Sequence, residues 1–219
     1  MAPVTEIVAA TLKDGVSAES LTSSFEILKQ QPGNRAVRVG PVHSKPNQFR
    51  LYIDWDSVES HSAFRANAAV YEPHMAAIKP ALAAPATVFH AELEPFPPVI
   101  LDAVKSPVTH LLLGYFGLES DFDFVLAETK KLIPHMQAAG PGGKGATGEF
   151  AIGWSQERDV DWKGEPTRVL VCVLGWESPE AYHAAHGSDP WRKAVTEYKT
   201  TVGPAHRAHT VVLTTNKVL

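Results

Sequence analysis

Cysteine is almost absent from this chain of 219 residues, and the single example is Cys172. One cysteine cannot form a disulfide within the chain or a cluster of cysteine metal ligands, so disulfide-rich and cysteine-metal folds are excluded. Cys172 lies in the apolar run VLVCVLGW, which indicates a buried strand. A reducing compartment agrees with this, and we expect a cytoplasmic location.

Long apolar runs and runs of one charge are also missing. No segment reaches the ~18 consecutive apolar residues that cross a bilayer, and the N-terminus has no charged region followed by an apolar stretch. The 20 basic and 24 acidic residues are well mixed and give a formal charge of −4. We therefore expect no membrane insertion and no nucleic-acid partner, but a small-molecule substrate or a protein partner.

The sequence repeats itself. Three motifs recur in the same order, with offsets of 104, 121 and 119 residues: Pro3 with Pro107, Trp55 with Trp176, and Pro85 with Pro204. A tandem duplication is the interpretation that this order favours. His90 and His209 each follow the third proline by five residues, which predicts that they occupy equivalent strand positions.

The repeats define the expected domains. We place a first repeat at residues 1–94, a proline-rich connector at 95–106 and a second repeat at 107–219. The second repeat carries a glycine-rich insertion at about 140–166, which is a candidate lid over a pocket or, alternatively, a surface loop.

Hydrophobic periodicity predicts the same element order in both repeats. A strand is followed by an amphipathic helix, two strands, a helix and a last strand. Ser57 and Ser178 are predicted to cap the second helix of each repeat, and Pro179 and Glu180 suit its first turn. The predicted fold class is α+β, with two fused ferredoxin-like (βαββαβ) repeats whose antiparallel sheets pack together because neither could cover its apolar face alone.

The element order, a tryptophan at the end of the third strand and the following Trp-x-Ser-x-Glu motif resemble the dimeric α/β-barrel superfamily. The resemblance is closest to the antibiotic biosynthesis monooxygenase type, in two fused copies. It implies a pocket between the sheet and the helices of one half, and relatives that include cofactor-free oxygenases, polyketide cyclases, haem-degrading enzymes and stress-responsive proteins. His110 also matches a first-strand histidine of plant polyketide cyclases, but Ala185 and Trp191 stand where their catalytic tyrosine and histidine would be.

Candidate site residues concentrate in the second repeat. We predict proton transfer by a histidine and tyrosine set: His110, His186, His183, Tyr182 and Tyr115. Substrate binding is predicted for an aromatic set with one further histidine: Trp176, Trp191, Trp154 and His209. Solvent exposure of the two helical histidines, core packing of the tryptophans and a structural role for His209 are the open alternatives.

The resulting hypothesis is a cofactor-independent enzyme that acts on an aromatic, polyketide-like or quinone-like molecule, as a monooxygenase or a cyclase. No cofactor and no metal site are predicted. The alternatives are a haem or hydrophobic-ligand binding protein and a non-catalytic stress-responsive barrel. Because both sheets belong to one chain, we expect a monomer or a weak homodimer.

Overall fold

The computed structural model describes residues 2–203 and 206–219, except for the side chains of residues 206, 208 and 209. The elements of the first half are β1 (Val4–Thr11), α1 (Thr22–Lys29), β2 (Asn34–Val42), β3 (Lys45–Trp55), α2 (Val58–Ala66), α3 (Ala68–Ile78) and β4 (Thr87–Ala91). Those of the second half are β5 (Val108–Gly117), α4 (Phe122–Gln137), β6 (Ala146–Trp154), β7 (Val160–Trp162), β8 (Glu165–Trp176), α5 (Pro179–His186), α6 (Asp189–Val202), β9 (His206–Thr214) and β10 (Lys217–Val218).

Two serines begin helices as the sequence predicts. The Ser57 hydroxyl accepts a hydrogen bond from the amide of Ser60 at 3.4 Å, and the Ser178 hydroxyl accepts one from the amide of Ala181 at 3.1 Å. Each bond satisfies an amide of the first turn that has no partner within the helix. Helices α2 and α5 therefore each begin three residues after the tryptophans that end β3 and β8.

Both halves have the same strand order. The first sheet runs β4-β1-β3-β2 and the second runs β9-β5-β8-β6, with antiparallel neighbours throughout. At one seam β2 pairs with β9 through Val42 and Thr214. At the other, Glu94 and Ile152 exchange two backbone hydrogen bonds of 2.9 and 3.0 Å.

Joined at both edges, the sheet closes into a barrel, with the helices outside it. The architecture is therefore α+β, with two ferredoxin-like units packed into a dimeric α/β-barrel-type structure, as predicted. Closure leaves no long unpaired sheet edge among the described strands, which removes a common route to aggregation.

Side chains alternate between the two faces of each strand, and one face of every sheet points into the barrel. Ile7 and Phe89 of the first half pack there with Leu111, Val171 and Val173 of the second, and all five are 3% exposed or less. The opposite faces of the same strands lie under the helices and form a separate core in each half. Each half thus has a helix-covered face on which a pocket can form.

The proline-rich connector is anchored to the barrel. Ile100 and Leu101 are buried, and the Asp102 carboxylate binds the buried Arg38 guanidinium. Arg38 also pairs with the fully buried Asp54 at 2.8 Å. A buried cation needs such partners, because desolvation would otherwise oppose its charge.

Within the described residues, no helix combines the length and the apolar composition needed to span a bilayer.

Gly153 offers a test of the seam between β4 and β6. A Cβ atom at this position would lie 1.7 Å from the carbonyl oxygen of Glu92. We expect Gly153→Ala to lower the free energy of unfolding by more than about 2 kcal/mol, since the seam must separate. Urea denaturation checks this. Gly187→Ala, where the new Cβ would lie 3.2 Å from the His183 carbonyl, is the control, and an equal loss in both variants would contradict the prediction.

We propose that the protein is a monomer, because the apolar sheet faces of both halves already cover each other within one chain. Light scattering during size-exclusion chromatography should give the chain mass of 23.8 kDa over a hundredfold range of concentration. A mass twice as large throughout that range would contradict the proposal.

Candidate functional site

The first half contains a cavity of about 650 Å³ between its sheet and helices α1 to α3. Most of the residues in its walls are apolar, with Val8, Phe25, Phe49 and Ile53 among them. This volume lies within the range of about 300–1,000 Å³ that is typical of small-molecule sites. We call it the first cavity.

Polar side chains lie on the first cavity where β1 faces α2. Glu6 and Val8 are two residues apart on β1, so both side chains lie on its helix-facing side. His61 and Arg65 are one helical turn apart on α2. Glu6 and His61 are 5% and 8% exposed, whereas Arg65 is exposed. The cavity therefore combines a buried carboxyl group and imidazole with an exposed cation.

A chain of hydrogen bonds leads away from His61. Its Nδ1 lies 2.7 Å from Nε2 of His90, which is opposite Glu6 in the pairing of β4 with β1. Nδ1 of His90 lies 2.6 Å from one carboxylate oxygen of Glu157, and the other oxygen accepts the His90 amide at 2.8 Å. His61 and His90 are buried and Glu157 is half-buried. We call the three together the buried relay.

Glu6 lies beside the buried relay. One of its oxygens accepts the indole N–H of Trp55 at 2.8 Å and lies 3.7 Å from Nδ1 of His61. The His61 ring stacks on Trp55, with 5.3 Å between ring centroids and 16° between planes. Indole packing and hydrogen bonding therefore hold both groups in place.

Burial sets the protonation states. It raises the pKa of Glu6, against the opposing effects of the Trp55 hydrogen bond and of His90. Desolvation, with help from the neighbouring His90, lowers the pKa of His61 to about 4. Burial also disfavours the ionised form of Glu157, but the hydrogen bonds from His90 outweigh it and lower the pKa of Glu157. At neutral pH the outer end of the relay is thus a carboxylate, and the His61 ring is neutral.

Three of these groups bear on metal binding. Ligand atoms of Glu6, His61 and His90 lie within 4.8 Å of one another. Two nitrogens bound to one tetrahedral Zn²⁺ at ~2.05 Å would be about 3.3 Å apart, whereas those of His61 and His90 are 2.7 Å apart. The observed geometry is that of a hydrogen bond, which a metal would have to break.

Strand register identifies the equivalent positions in the second half. Val4 pairs with Trp55 and Val108 with Trp176, so Glu6 corresponds to His110 and His61 to Tyr182. Glu6 faces His90 across the β1–β4 pair, but His110 faces Leu213 across the β5–β9 pair. The second half therefore has His110, Tyr182 and Leu213 where the first has Glu6, His61 and His90.

This register corrects the predicted equivalence of His90 and His209. The proline motif suggested an offset of 119, but the pairing gives 213 − 90 = 123. Both last strands begin two residues after that proline, so the four-residue difference lies in how the last strand of each half is paired with the first. His209 pairs with Gly114 through the backbone, and its side chain lies outside the described residues.

A second cavity, of about 440 Å³, lies between the second sheet and helices α4 and α6. Trp191 and His186, two of the predicted site residues, line it. His110 and Tyr182 are in contact, with 4.9 Å between ring centroids, but they are 0% and 5% exposed and are not among the residues that line the cavity. Burial raises the pKa of Tyr182 to about 12.

Several other predicted site residues lie elsewhere. Tyr115 projects from the face of β5 opposite His110 and packs on Trp162, because side chains alternate along a strand. It therefore cannot act together with His110 and His186 in one cavity. His183 is exposed and does not line the second cavity.

Two of the predicted tryptophans belong to the core. Trp176 is 0% exposed, and Trp154 packs edge-on against Phe116 and Phe122. Neither lines the second cavity, which corrects their predicted place in a substrate pocket.

The predicted lid is also corrected. Residues 140–166, all of which the structure describes, contain β6 and β7, and none of them lines the second cavity. The glycine-rich run leads into β6, where strand pairing holds it.

The sequence reasoning missed Glu6, His61, His90 and Glu157 as a group. Two signals pointed to them: His61 and His90 lie in repeated motifs, and Glu6 stands opposite His110 in the alignment of the repeats. Glu157 comes from the other half of the chain and reaches His90 only because the barrel closes.

Comparison with solved structures identifies chains of the same fold over the full length. An anthrone oxidase-like protein superposes with a TM-score of 0.68 at 10% identity, covering 100% of this chain and 94% of that one. A candidate monooxygenase from Lactobacillus acidophilus NCFM gives 0.58 at 11% identity, with 100% and 96% covered. A candidate chlorite dismutase gives 0.52 at 10% identity, with 99% and 96% covered. No protein-family model and no curated protein sequence matches the chain.

The depressed pKa of His61 predicts how stability changes with pH. The folded chain holds this pKa at about 4, whereas an unfolded histidine titrates near ~6.5. Between these values the unfolded state binds more protons, so the contribution of His61 is fully present above pH ~6.5 and is lost as the pH falls towards 4. We expect a loss on the order of 2–3 kcal/mol across this window.

Urea denaturation at pH 7, 5.5 and 4 checks this by comparing the wild type with His61→Gln. The comparison matters because other charged groups act on His61: His90, Arg65, Glu157 and His74. His135→Gln, at an exposed histidine of α4, is the control. Parallel pH profiles for the wild type and His61→Gln would contradict the prediction.

Proposed function

We propose that the protein is a cofactor-independent oxygenase that deprotonates an aromatic, enolisable substrate in the first cavity. The observation that carries the proposal is the hydrogen-bonded path from Glu157 through His90 to His61, which ends at an apolar cavity of about 650 Å³. The full-length likeness to an anthrone oxidase-like protein is a likeness of fold and agrees with this reading.

The buried relay gives His61 the properties of a general base. With Glu157 ionised, Nδ1 of His90 carries a proton and donates it to that carboxylate. When His90 is neutral, its Nε2 accepts the Nδ1 proton of His61, and the lone pair on Nε2 of His61 is then free to act as a base. Positioned histidine bases of this kind typically contribute about 10²- to 10⁴-fold to a rate.

Proton transfer along the relay offsets the low basicity of His61. As Nε2 of His61 takes a proton from the substrate, the Nδ1 proton passes to Nε2 of His90. The positive charge then lies on His90, where the carboxylate of Glu157 is 2.6 Å away. Pairing with a carboxylate stabilises an imidazolium ion, so the charge need not remain on the desolvated ring of His61.

Arg65 is the group that we assign to the substrate oxygen. It lines the first cavity, and its charge acts on both Glu6 and His61. Loss of a proton from a phenol or from carbon beside a carbonyl places negative charge on oxygen, and a nearby guanidinium stabilises it. Arg65 is exposed, so water partly screens this interaction.

Oxygenation then needs no group beyond the substrate anion and O₂. The anion transfers electrons to O₂ and a C–O bond forms, giving a hydroperoxide after protonation. Loss of water from this hydroperoxide leaves a carbonyl group, with one oxygen atom in the product and the other in water. Glu6, whose pKa is raised by burial, is placed beside His61 to supply the proton.

Oxygen uptake with 1,8-dihydroxyanthrone tests the proposal. We expect one O₂ consumed per quinone formed, with turnover retained after dialysis against EDTA. His61→Gln should lower kcat by at least about 100-fold, and Glu157→Gln should lower it less, because the base remains while its outer carboxylate is lost. His135→Gln is the matched control.

Three results would contradict the proposal. The first is full turnover by His61→Gln. The second is turnover that EDTA removes and a divalent metal restores. The third is loss of turnover in Tyr182→Phe while the relay variants stay active, which would return the chemistry to the second half.

A further inference from the structure

The second cavity differs chemically from the first. Its inner wall is apolar and is formed by β5, β8 and α4, with Leu112, Phe116, Met136 and Cys172 among its residues. Two hydroxyls on the wall, those of Thr129 and Tyr198, are 2.8 Å apart and bond to each other. The interior therefore favours a ligand with a hydrocarbon surface and does not need a polar group from it.

The mouth of the second cavity is basic. Helix α6 contributes Arg192, Val195, Thr196 and Lys199, which are spaced i, i+3, i+4 and i+7 and so share one face. Among the described residues that line this cavity there is no aspartate or glutamate. The first cavity, by contrast, has the carboxyl group of Glu6.

The two cations at the mouth are not equivalent. The guanidinium of Arg192 is already bound to the Asp189 carboxylate and the Gly187 carbonyl. Lys199 is exposed, and within residues 2–203 and 206–219 it takes part in no ion pair. Of the two cations, Lys199 is therefore the more available to bind an anionic group of a ligand at the mouth.

The second cavity also lacks the means for the proposed chemistry. The positions equivalent to Glu6, His61 and His90 are occupied by His110, Tyr182 and Leu213. His110 and Tyr182 are buried and do not line the cavity. A ligand there would meet apolar walls and a basic mouth, but no buried acid and base.

We propose that the second cavity binds, without transforming it, an apolar carboxylate with a single hydrocarbon chain. The chain lies along Leu112, Phe116 and Met136, and the carboxylate lies at Lys199. The volume of about 440 Å³ is in the range of small-molecule sites. This binding is independent of the oxygenase proposal, since it needs no turnover.

Titration calorimetry with dodecanoate, below its critical micelle concentration, tests the inference. We expect one site per chain, weaker binding of dodecanol and no binding of dodecyltrimethylammonium. Lys199→Glu should weaken dodecanoate binding between about three- and tenfold, as expected when an exposed ion pair is replaced by repulsion. Lys193→Glu makes the same charge change on the same helix at a residue that does not line this cavity, and it is the matched control.

Three variants locate the ligand. Val195→Trp fills the second cavity from α6 and should abolish binding, and Thr196→Trp, at an exposed position of its mouth, serves the same purpose with less risk to folding. Val88→Trp narrows the first cavity and should leave binding intact. The inference is overturned if dodecanol binds as well as dodecanoate, if Lys193→Glu matches Lys199→Glu, or if only Val88→Trp removes binding.

Discussion

An antiparallel sheet with helices on one side has a second face that must also be covered. Here each half covers the other: apolar side chains of β1 and β4 meet those of β5 and β8 inside the barrel. At roughly 25 cal/mol per Å² of apolar surface, this shared interior is a major source of stability for the chain. Because side chains alternate between the two faces of each strand, this packing does not constrain the residues on the helix-facing sides of the two sheets. Those sides can therefore differ in sequence.

That freedom explains how similar halves can hold dissimilar sites. Closure brings the end of β4 against the end of β6, and this contact delivers Glu157 to His90. A carboxylate from one half therefore completes an imidazole pair in the other. In the second half the corresponding strand position is Leu213, and His110 and Tyr182 are packed into the core.

Much of the fold could be predicted from the sequence, because its signals are local. The serine caps, the strand and helix periods and the repeated tryptophans each depend on neighbouring residues, and together they indicate the element order and the barrel. The site was harder. Histidine-rich α5 drew attention to the second half, but helical spacing cannot tell whether His183 faces a cavity or solvent, and it faces solvent.

Register was the main source of error. The proline motif aligned His90 with His209, and only the pairing of β5 with β9 reveals the four-residue shift. The prediction that Tyr115 acts together with His110 was wrong for a similar reason. Successive side chains of a strand lie on opposite faces, so the two residues face different sides of β5. Glu157 had no local signal at all, because its partner is 67 residues away in the chain.

The two seams of the barrel are built alike but carry different side chains. At one, the amide of Gln156 bonds to the carbonyl of His90; at the other, the amide of His43 bonds to the carbonyl of Leu213. Ser44 thus stands where Glu157 stands. In an assembly of two identical chains, symmetry would make any substitution appear at both junctions. A single polypeptide can specialise one junction for chemistry, while the other keeps a purely structural role.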